Sequence, residues 1–266
     1  MTMISFVRHK EILGELYLPN AADNNHIRIV WLPGLPNQPS TEDMGKPLSE
    51  MGFTVLQVRY PGSWQSYGEF GPSSSYESAI LGMELLISGH TLNLNTNEEI
   101  IWNIEHTVLI GNSYGGGIAI AALACSELAD AAISFCPLIE PEMQNSVPTM
   151  PEDDLTTLYP YLKRCHENVF RHLKKEEWNA YINGRHPLTP VKFLHKLKYK
   201  NLLLIHGTSD TSIRHFHTVN FYQKLHIIGA SKTTFISEPE VGHGKALRQA
   251  TKNKWVNWLL KQKQSD

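Results

Sequence analysis

The stretch Val108-Leu109-Ile110-Gly111-Asn112-Ser113-Tyr114-Gly115-Gly116-Gly117 decides how the rest of the chain is read. Its centre is a G-x-S-x-G pattern, which by itself arises by chance in roughly a tenth of chains this long. The flanks make it informative. An apolar, strand-like run enters the motif, and a mostly apolar helical run, Gly116 to Leu128, leaves it. A serine on a tight strand-to-helix turn sits in a strained backbone conformation with its hydroxyl exposed above the sheet. Glycines on either side keep that turn free of a Cβ. The helix N-terminus adds partial positive charge where an oxyanion would form. Ser113 is therefore the candidate nucleophile, the alternative being a glycine-rich turn with a purely structural role.

Outward from this point, strand-like runs alternate with helical periodicity, the pattern of a mostly parallel sheet covered on both faces. Ile4 to Arg8 and Glu11 to Leu18 read as an antiparallel lead-in hairpin. Further strands are expected over Ile27 to Leu32, Phe53 to Arg59, His106 to Ile110, Ala131 to Cys136, Asn201 to His206 and Thr233 to Ile236, eight in all. A short helix fits Thr41 to Met51, with Ser40 as its cap and Gly52 as its stop. Ser74 and Glu77 make a capping box ahead of a helix that places Tyr76, Ile80, Met83 and Ile87 on one face. A last helix near Leu247 to Leu260 is expected to dock on the sheet through Leu247, Trp255, Trp258 and Leu259.

One segment interrupts the alternation. Between Cys136 and Asn201 lies an insertion of roughly 50 to 60 residues, beyond a usual strand connection. Pro160 suits the first turn of a helix there, and Leu162, Cys165, Val169 and Leu173 step at helical spacing. A second, shorter helix is expected over Glu176 to Ile182. The whole reads as one domain, 1–266, with a small helical cap at about 138–190.

A serine hydroxyl is a poor nucleophile until a base removes its proton. Glu240-Val241-Gly242-His243-Gly244 offers that base, a loop histidine between glycines after the last strand. The imidazole needs a carboxylate to fix its tautomer, and Leu202 to Asp210 ends a buried strand with Asp210 on the following loop. Glu140, just past the preceding strand, is the rival acid; Glu238 and Glu240 lie too near His243 in sequence to reach its far nitrogen comfortably. Two backbone donors are needed for the oxyanion. Tyr114 N–H follows the nucleophile, and Leu35 N–H is available in Pro33-Gly34-Leu35-Pro36, where neither proline has an N–H. Trp64, Tyr67 and Phe70, with Trp178 and Tyr181 in the cap, are candidates to line a substrate pocket, or else ordinary packing residues.

Bulk composition excludes other classes. The 266 residues are 41% hydrophobic and 19% charged, with 24 basic and 26 acidic side chains. That balance calls for neither nucleic acid nor an anionic membrane surface. Cys125, Cys136 and Cys165 form no disulfide framework and no zinc pattern, and are read as buried apolar thiols. Charges interrupt the N-terminal segment where a signal peptide needs a continuous apolar run, and no apolar stretch approaches the roughly 20 residues that span a bilayer. A cytoplasmic protein is expected. His215-Phe216-His217 lacks a third metal ligand nearby, and Lys192, Lys196, Lys198 and Lys200 read as a solvated face.

The strand–GNSYGG–helix elbow, the LLLIHGTSD segment and the EVGHG loop together resemble the α/β-hydrolase superfamily. Within it, Arg59-Tyr60-Pro61-Gly62-Ser63 and Ser66-Tyr67-Gly68-Glu69-Phe70 resemble prolyl-oligopeptidase-like hydrolases and small bacterial or archaeal esterases. The resemblance implies an α/β-hydrolase fold and the chain order Ser113, Asp210, His243 for a catalytic triad. It implies hydrolysis of an ester or related acyl bond of a small molecule, without metal or organic cofactor. A peptidase acting on short peptides is the alternative, and a binding protein that kept the fold without the chemistry is a third. Two departures weigh against peptidase activity. The chain has no N-terminal extension long enough for a propeller, and Pro33-Gly34 stands where the family often has His-Gly. Activity is expected to fall as His243 becomes protonated, at about pH 6 to 7.

Overall fold

Strands whose side chains are apolar on both faces must be covered on both faces, and this chain has several. The computed structural model describes residues 4–36, 44–103, 106–165 and 169–262. In chain order, β1 (Ile4–His9), β2 (Ile12–Tyr17) and β3 (Ile27–Leu32) precede α1 (Gly45–Ser49), β4 (Thr54–Arg59) and α2 (Pro72–Ser88). A small hairpin, β5 (His90–Leu92) and β6 (Glu99–Ile101), leads to β7 (His106–Asn112), α3 (Tyr114–Cys125) and β8 (Ala131–Phe135). The insertion follows with α4 (Leu155–Cys165) and α5 (Lys175–Ile182). Then come α6 (Leu194–Leu197), β9 (Asn201–Gly207), α7 (His215–Ile227), β10 (Thr233–Glu238), α8 (Lys245–Ala250) and α9 (Lys252–Lys261).

Eight strands form one sheet in the order β1-β2-β4-β3-β7-β8-β9-β10. The pairs β1–β2 and β2–β4 are antiparallel and the other five are parallel. Period-two alternation divides the core. Val30, Leu32, Leu109, Leu202 and Leu204 face α2, α3 and α7, whereas Ile29, Trp31, Ile110, Leu203 and Ile205 face α1, α8 and α9. Helix α3 is buried nearly all round, as its unbroken run of apolar and small residues requires. Leu32 pairs with Gly111 and Asn112 with Phe135, so β3, β7 and β8 end side by side. Their carboxyl ends therefore bring residues 33–35, 113 and 136 together.

Several local expectations are corrected. Helix α2 starts at Pro72, not behind a Ser74 cap, and Ser74 Oγ donates to Gly71 O. The first turn is instead capped from outside, by Glu177 Oε1 of α5, which accepts the Ser73 N–H at 2.8 Å. Toward the core α2 presents Ser75, Ser78, Ala79, Gly82, Met83 and Leu86, while Tyr76, Ile80 and Ile87 are only partly buried. Small residues let the helix approach the sheet closely, which a search for large apolar side chains overlooks. Pro160 lies inside α4 rather than in its first turn, and Val169 and Leu173 fall beyond the helix. Residues 169–171 pair instead with the loop after β4, through Trp64 N–H to Val169 O and Arg171 N–H to Gly62 O. The last helix divides at Thr251, whose hydroxyl donates to Leu247 O, a contact that bends helices. Ser40 and the start of the helix expected over Thr41 to Met51 lie outside the described residues; α1 accounts for its second half. Among the described residues no helix is long and apolar enough to cross a membrane.

Candidate active site

Strand β7 runs directly into Ser113, whose backbone is held at φ 56° and ψ −120°. A non-glycine residue enters that region only where its surroundings over-determine it. Here they do: Ser113 N–H donates to Phe135 O, and Ser113 O accepts the N–H groups of Gly117 and Leu138. Helix α3 begins at the next residue, so its first amides lie at the nucleophile candidate. Gly115 permits the approach of β3 behind the turn, since a Cβ there would lie 2.2 Å from Leu32 O. Leu35, Ser113, Tyr114 and His243 line one cavity of about 520 Å³, closed on the cap side by Leu155, Leu158, Tyr161 and Arg164. The two residues expected to supply oxyanion N–H groups are thus beside the serine.

The histidine and the acid come from neighbouring loops. Ser209 N–H donates to Val241 O and Thr208 N–H to Glu238 O, binding the loop after β9 to the loop after β10. Across this seam His243 Nδ1 donates to Asp210 Oδ2 at 2.6 Å. Asp210 is fully buried, and the sequence carries what such a carboxylate requires. Its Oδ1 accepts the N–H groups of Ser212 and Ile213 at 2.9 and 3.0 Å, and Oδ2 also accepts from His206 Nε2 at 3.1 Å. His206 is itself fixed, with Thr218 Oγ1 2.7 Å from Nδ1. Burial opposes the charge on Asp210, but the hydrogen bonds and charges of His206 and His243 outweigh it and hold the carboxyl well below its usual range. Burial likewise opposes charging His243, yet the Cys136 thiol and the Asp210 carboxylate hold the imidazole above its ordinary 6.5. The rival acids are engaged elsewhere: Glu140 pairs with Lys224 at 2.8 Å, Glu238 pairs with Lys254, and Glu240 is exposed.

The serine and histidine line the same cavity. Among the described residues no hydrogen bond joins Ser113 Oγ to His243 Nε2; that nitrogen lies 3.8 Å from Cys136 Sγ, which in turn contacts Asn112 Oδ1 at 3.6 Å. Cys136 is buried in the apolar core, as expected of an apolar thiol, and its sulfur also meets the ring of His243; Cys125 is only partly buried. Cys136, Asp210 and His243 place three potential metal-ligand atoms within 4.8 Å of one another. The Nδ1–Oδ2 bond already occupies one side of the ring, which leaves Nε2 and Sγ, fewer than the three protein ligands of a catalytic zinc. His215 and His217 also part company, toward Ser237 and Glu152.

The aromatic candidates lie off the cavity. Tyr67 is exposed beneath Arg8, Phe70 is buried against Tyr60 and Phe170, and Trp64 packs by residues 169–171. Trp178 and Tyr181 lie behind the wall, on the ring of Tyr114. Two residues that sequence reasoning missed brace the site. Arg248 of α8 donates through Nη1 to Asn112 Oδ1, and His206 supports Asp210. His206 sits in the quoted LLLIHGTSD segment, where its spacing from Asp210 was a usable signal; Arg248 carried none.

A sequence profile of the prolyl oligopeptidase family matches residues 42–264. No curated protein sequence matches significantly. Among solved structures, an esterase of Pyrococcus furiosus superposes with a TM-score of 0.66 at 15% identity, over 98% of this chain and 90% of that one. An α/β hydrolase of Penicillium sp. reaches 0.69 at 16% identity, over 98% and 99%. The acylaminoacyl peptidase of Pyrococcus horikoshii reaches 0.67 at 17% identity, and there this chain spans only 41% of the longer protein. These likenesses are of fold.

Proposed function

Because the chain belongs to the prolyl oligopeptidase family, and is therefore a serine hydrolase of ester or peptide bonds, we propose that it cleaves carboxylic esters or related acyl bonds with Ser113 as nucleophile, His243 as base and Asp210 as the group that orients the base. The observation that carries this reading is the 2.6 Å His243–Asp210 bond at the rim of the cavity that contains Ser113. With Nδ1 donating to Asp210, the neutral ring keeps its lone pair on Nε2, the nitrogen that now lies by Cys136. Catalytic hydrogen bonds are often long in a free enzyme and tighten when substrate binds. This chemistry requires the ring to leave Cys136 and Nε2 to meet Ser113 Oγ when substrate is bound.

The chemistry then runs in two halves. Ser113 Oγ attacks the carbonyl carbon and its proton passes to Nε2, while the N–H groups of Tyr114 and Leu35 hold the oxyanion. Each such donor typically lowers the barrier by about 2.7–4 kcal/mol. Collapse breaks the acyl–oxygen bond, and the leaving alcohol takes the proton from Nε2. Water next gives its proton to Nε2 and attacks the acyl-enzyme; the acid departs and the proton returns to Ser113. Leu35, Leu138, Leu158 and Ile213 give the cavity apolar walls, which suit a small to medium acyl group met in the cytoplasm.

A second reading, cleavage of short peptides or blocked aminoacyl amides, is favoured by the family match itself. A panel of p-nitrophenyl esters and aminoacyl p-nitroanilides separates the two: ester turnover with negligible amide turnover is expected, and comparable rates on both would make it a peptidase. A fluorophosphonate probe should label wild type and leave Ser113→Ala unlabelled. Native protein that refuses the label and hydrolyses nothing in the panel would remove the proposed chemistry altogether.

A further inference from the structure

Among the described residues, another hollow is larger than the cavity that contains Ser113. A cavity of about 770 Å³ opens between α4 and α5, with Tyr159, Trp178 and Ile182 among its apolar walls and Lys163, Arg164 and Lys175 around it. We propose that it receives an organic anion, carboxylate toward the three cations and apolar body over the aromatic walls, and that this anion is the far end of the substrate whose acyl bond is cleaved at Ser113. The assignment rests on the hydrolase reading above and names its substrate class: acyl compounds that carry a second, free carboxylate.

Four observations carry it. Three cations and no carboxylate line the cavity among the described residues. Among those residues, none of Lys163, Arg164 and Lys175 makes an ion pair or side-chain hydrogen bond, whereas Lys174, adjacent to Lys175 in the chain, pairs with Glu69. Lys163 and Arg164 stand in the last turn of α4, where the helix carbonyls favour cations without neutralising them. Trp178 is fully buried with its Nε1 unpartnered, a donor for which the protein supplies no acceptor.

The link to Ser113 is short. Arg164 lines both cavities, and the Trp178 ring lies 6.1 Å from the ring of Tyr114, next to the serine. The charges also have a direction. Asp153 and Asp154 line the Ser113 side, opposite in sign to the lysines beyond Arg164. A molecule with one negative end is therefore oriented with that end away from the serine. The guanidinium and ammonium groups suit a carboxylate by charge and hydrogen bonding.

The test pairs two esters, p-nitrophenyl hydrogen suberate and its neutral methyl ester, with wild type and Lys163→Gln/Lys175→Gln. Calorimetry of 4-phenylbutyrate on Ser113→Ala, with and without the lysine substitutions, reads the anion site without turnover. Wild type should prefer the anionic ester in kcat/KM by about tenfold, a size consistent with a few exposed charge contacts. The preference should shrink below about threefold in the double glutamine variant and return in Lys163→Arg/Lys175→Arg. Equal kcat/KM for the two esters in wild type, or a preference that survives the glutamines, overturns the assignment. Phenylbutyrate binding that depends on the lysines, with no ester preference, would make the cavity a separate ligand site and overturn the substrate claim. Lysine-dependent binding with neither ester hydrolysed would leave the anion site standing and remove the hydrolase reading instead.

Discussion

Arg248 Nη1 donates to Asn112 Oδ1 at 2.8 Å in a buried contact, joining the helix after His243 to the residue before Ser113. The two loops that must converge are thus braced by a charge-assisted bond. Asn112→Ala removes the acceptor and leaves a buried guanidinium short of a partner. Unfolding free energy should fall by about 1.5–3 kcal/mol, read from urea melts. A loss below about 0.5 kcal/mol would mean the bond contributes little.

Ser113 is held in a strained backbone region for its position rather than its stability. Ser113→Gly should abolish hydrolysis and raise unfolding free energy by about 1 kcal/mol, the strain relieved less the entropy of glycine. Ser113→Ala, which keeps the strain, should be equally inactive without that gain. Equal melting of the glycine and alanine variants would show that the conformation is not costly.

The raised His243 value shifts the expected pH profile. Burial favours the neutral ring, but Cys136 and Asp210 outweigh it, so the acidic limb of kcat/KM should lie above pH 6.5 rather than at the pH 6 to 7 expected from an ordinary histidine. Asp210→Asn and Cys136→Ala should each move the limb downward. Only the former should also lower the plateau, by about 10³–10⁴. A limb unmoved by either change would contradict the assignment.

The same pair sets a stability window. A folded value raised above the unfolded one gives His243 a contribution complete below about pH 6.5 and lost as pH climbs through the folded value. Asp210, held below its ordinary 3.8, contributes above that pH and loses its share as pH falls through the lower folded value. Urea midpoints of wild type should decline toward pH 9, and Asp210→Asn should flatten that decline.

Two glycines near the serine should behave differently. A Cβ at Gly115 would lie 2.2 and 2.4 Å from the backbone oxygens of Leu32 and Pro33, so Gly115→Ala should cost at least about 1–3 kcal/mol of stability. At Gly34 it would meet Ser113 Cβ at 3.2 Å and Asn112 Nδ2 at 3.3 Å, contacts that a slight shift relieves. Gly34→Ala should melt within about 1 kcal/mol of wild type yet lose about tenfold in kcat/KM through a displaced nucleophile. Reversal of this order would count against Ser113 as the reacting group.

What could be read beforehand was what short-range chemistry writes into the chain. The eight strands were legible as apolar runs, and Ser113 from the elbow between strand and helix. Asp210 and His243 were legible as loop residues after the last two parallel strands. Contacts made across the fold were not. The cap of α2 comes from Glu177, far away in sequence, so Ser74 and Glu77 formed a plausible motif that the helix does not use. Trp64, Tyr67 and Phe70 could be read as pocket or packing residues alike, and only the pairing of residues 169–171 with that loop decides for packing. Cys136 gave no sign of its histidine neighbour, since only the parallel register of β8 and β9 brings residue 136 to the site.

Glu177 also limits how far α5 can move from α2. His186 and the Ser73 amide hold its carboxylate down at about 2, so at neutral pH it stays charged and bound to the first turn of α2. Lifting α5 would strip that turn of its acceptor and leave a carboxylate bereft of donors. The two helices are therefore staked to one another, and α5 should keep its berth on α2 through any rearrangement of the insertion.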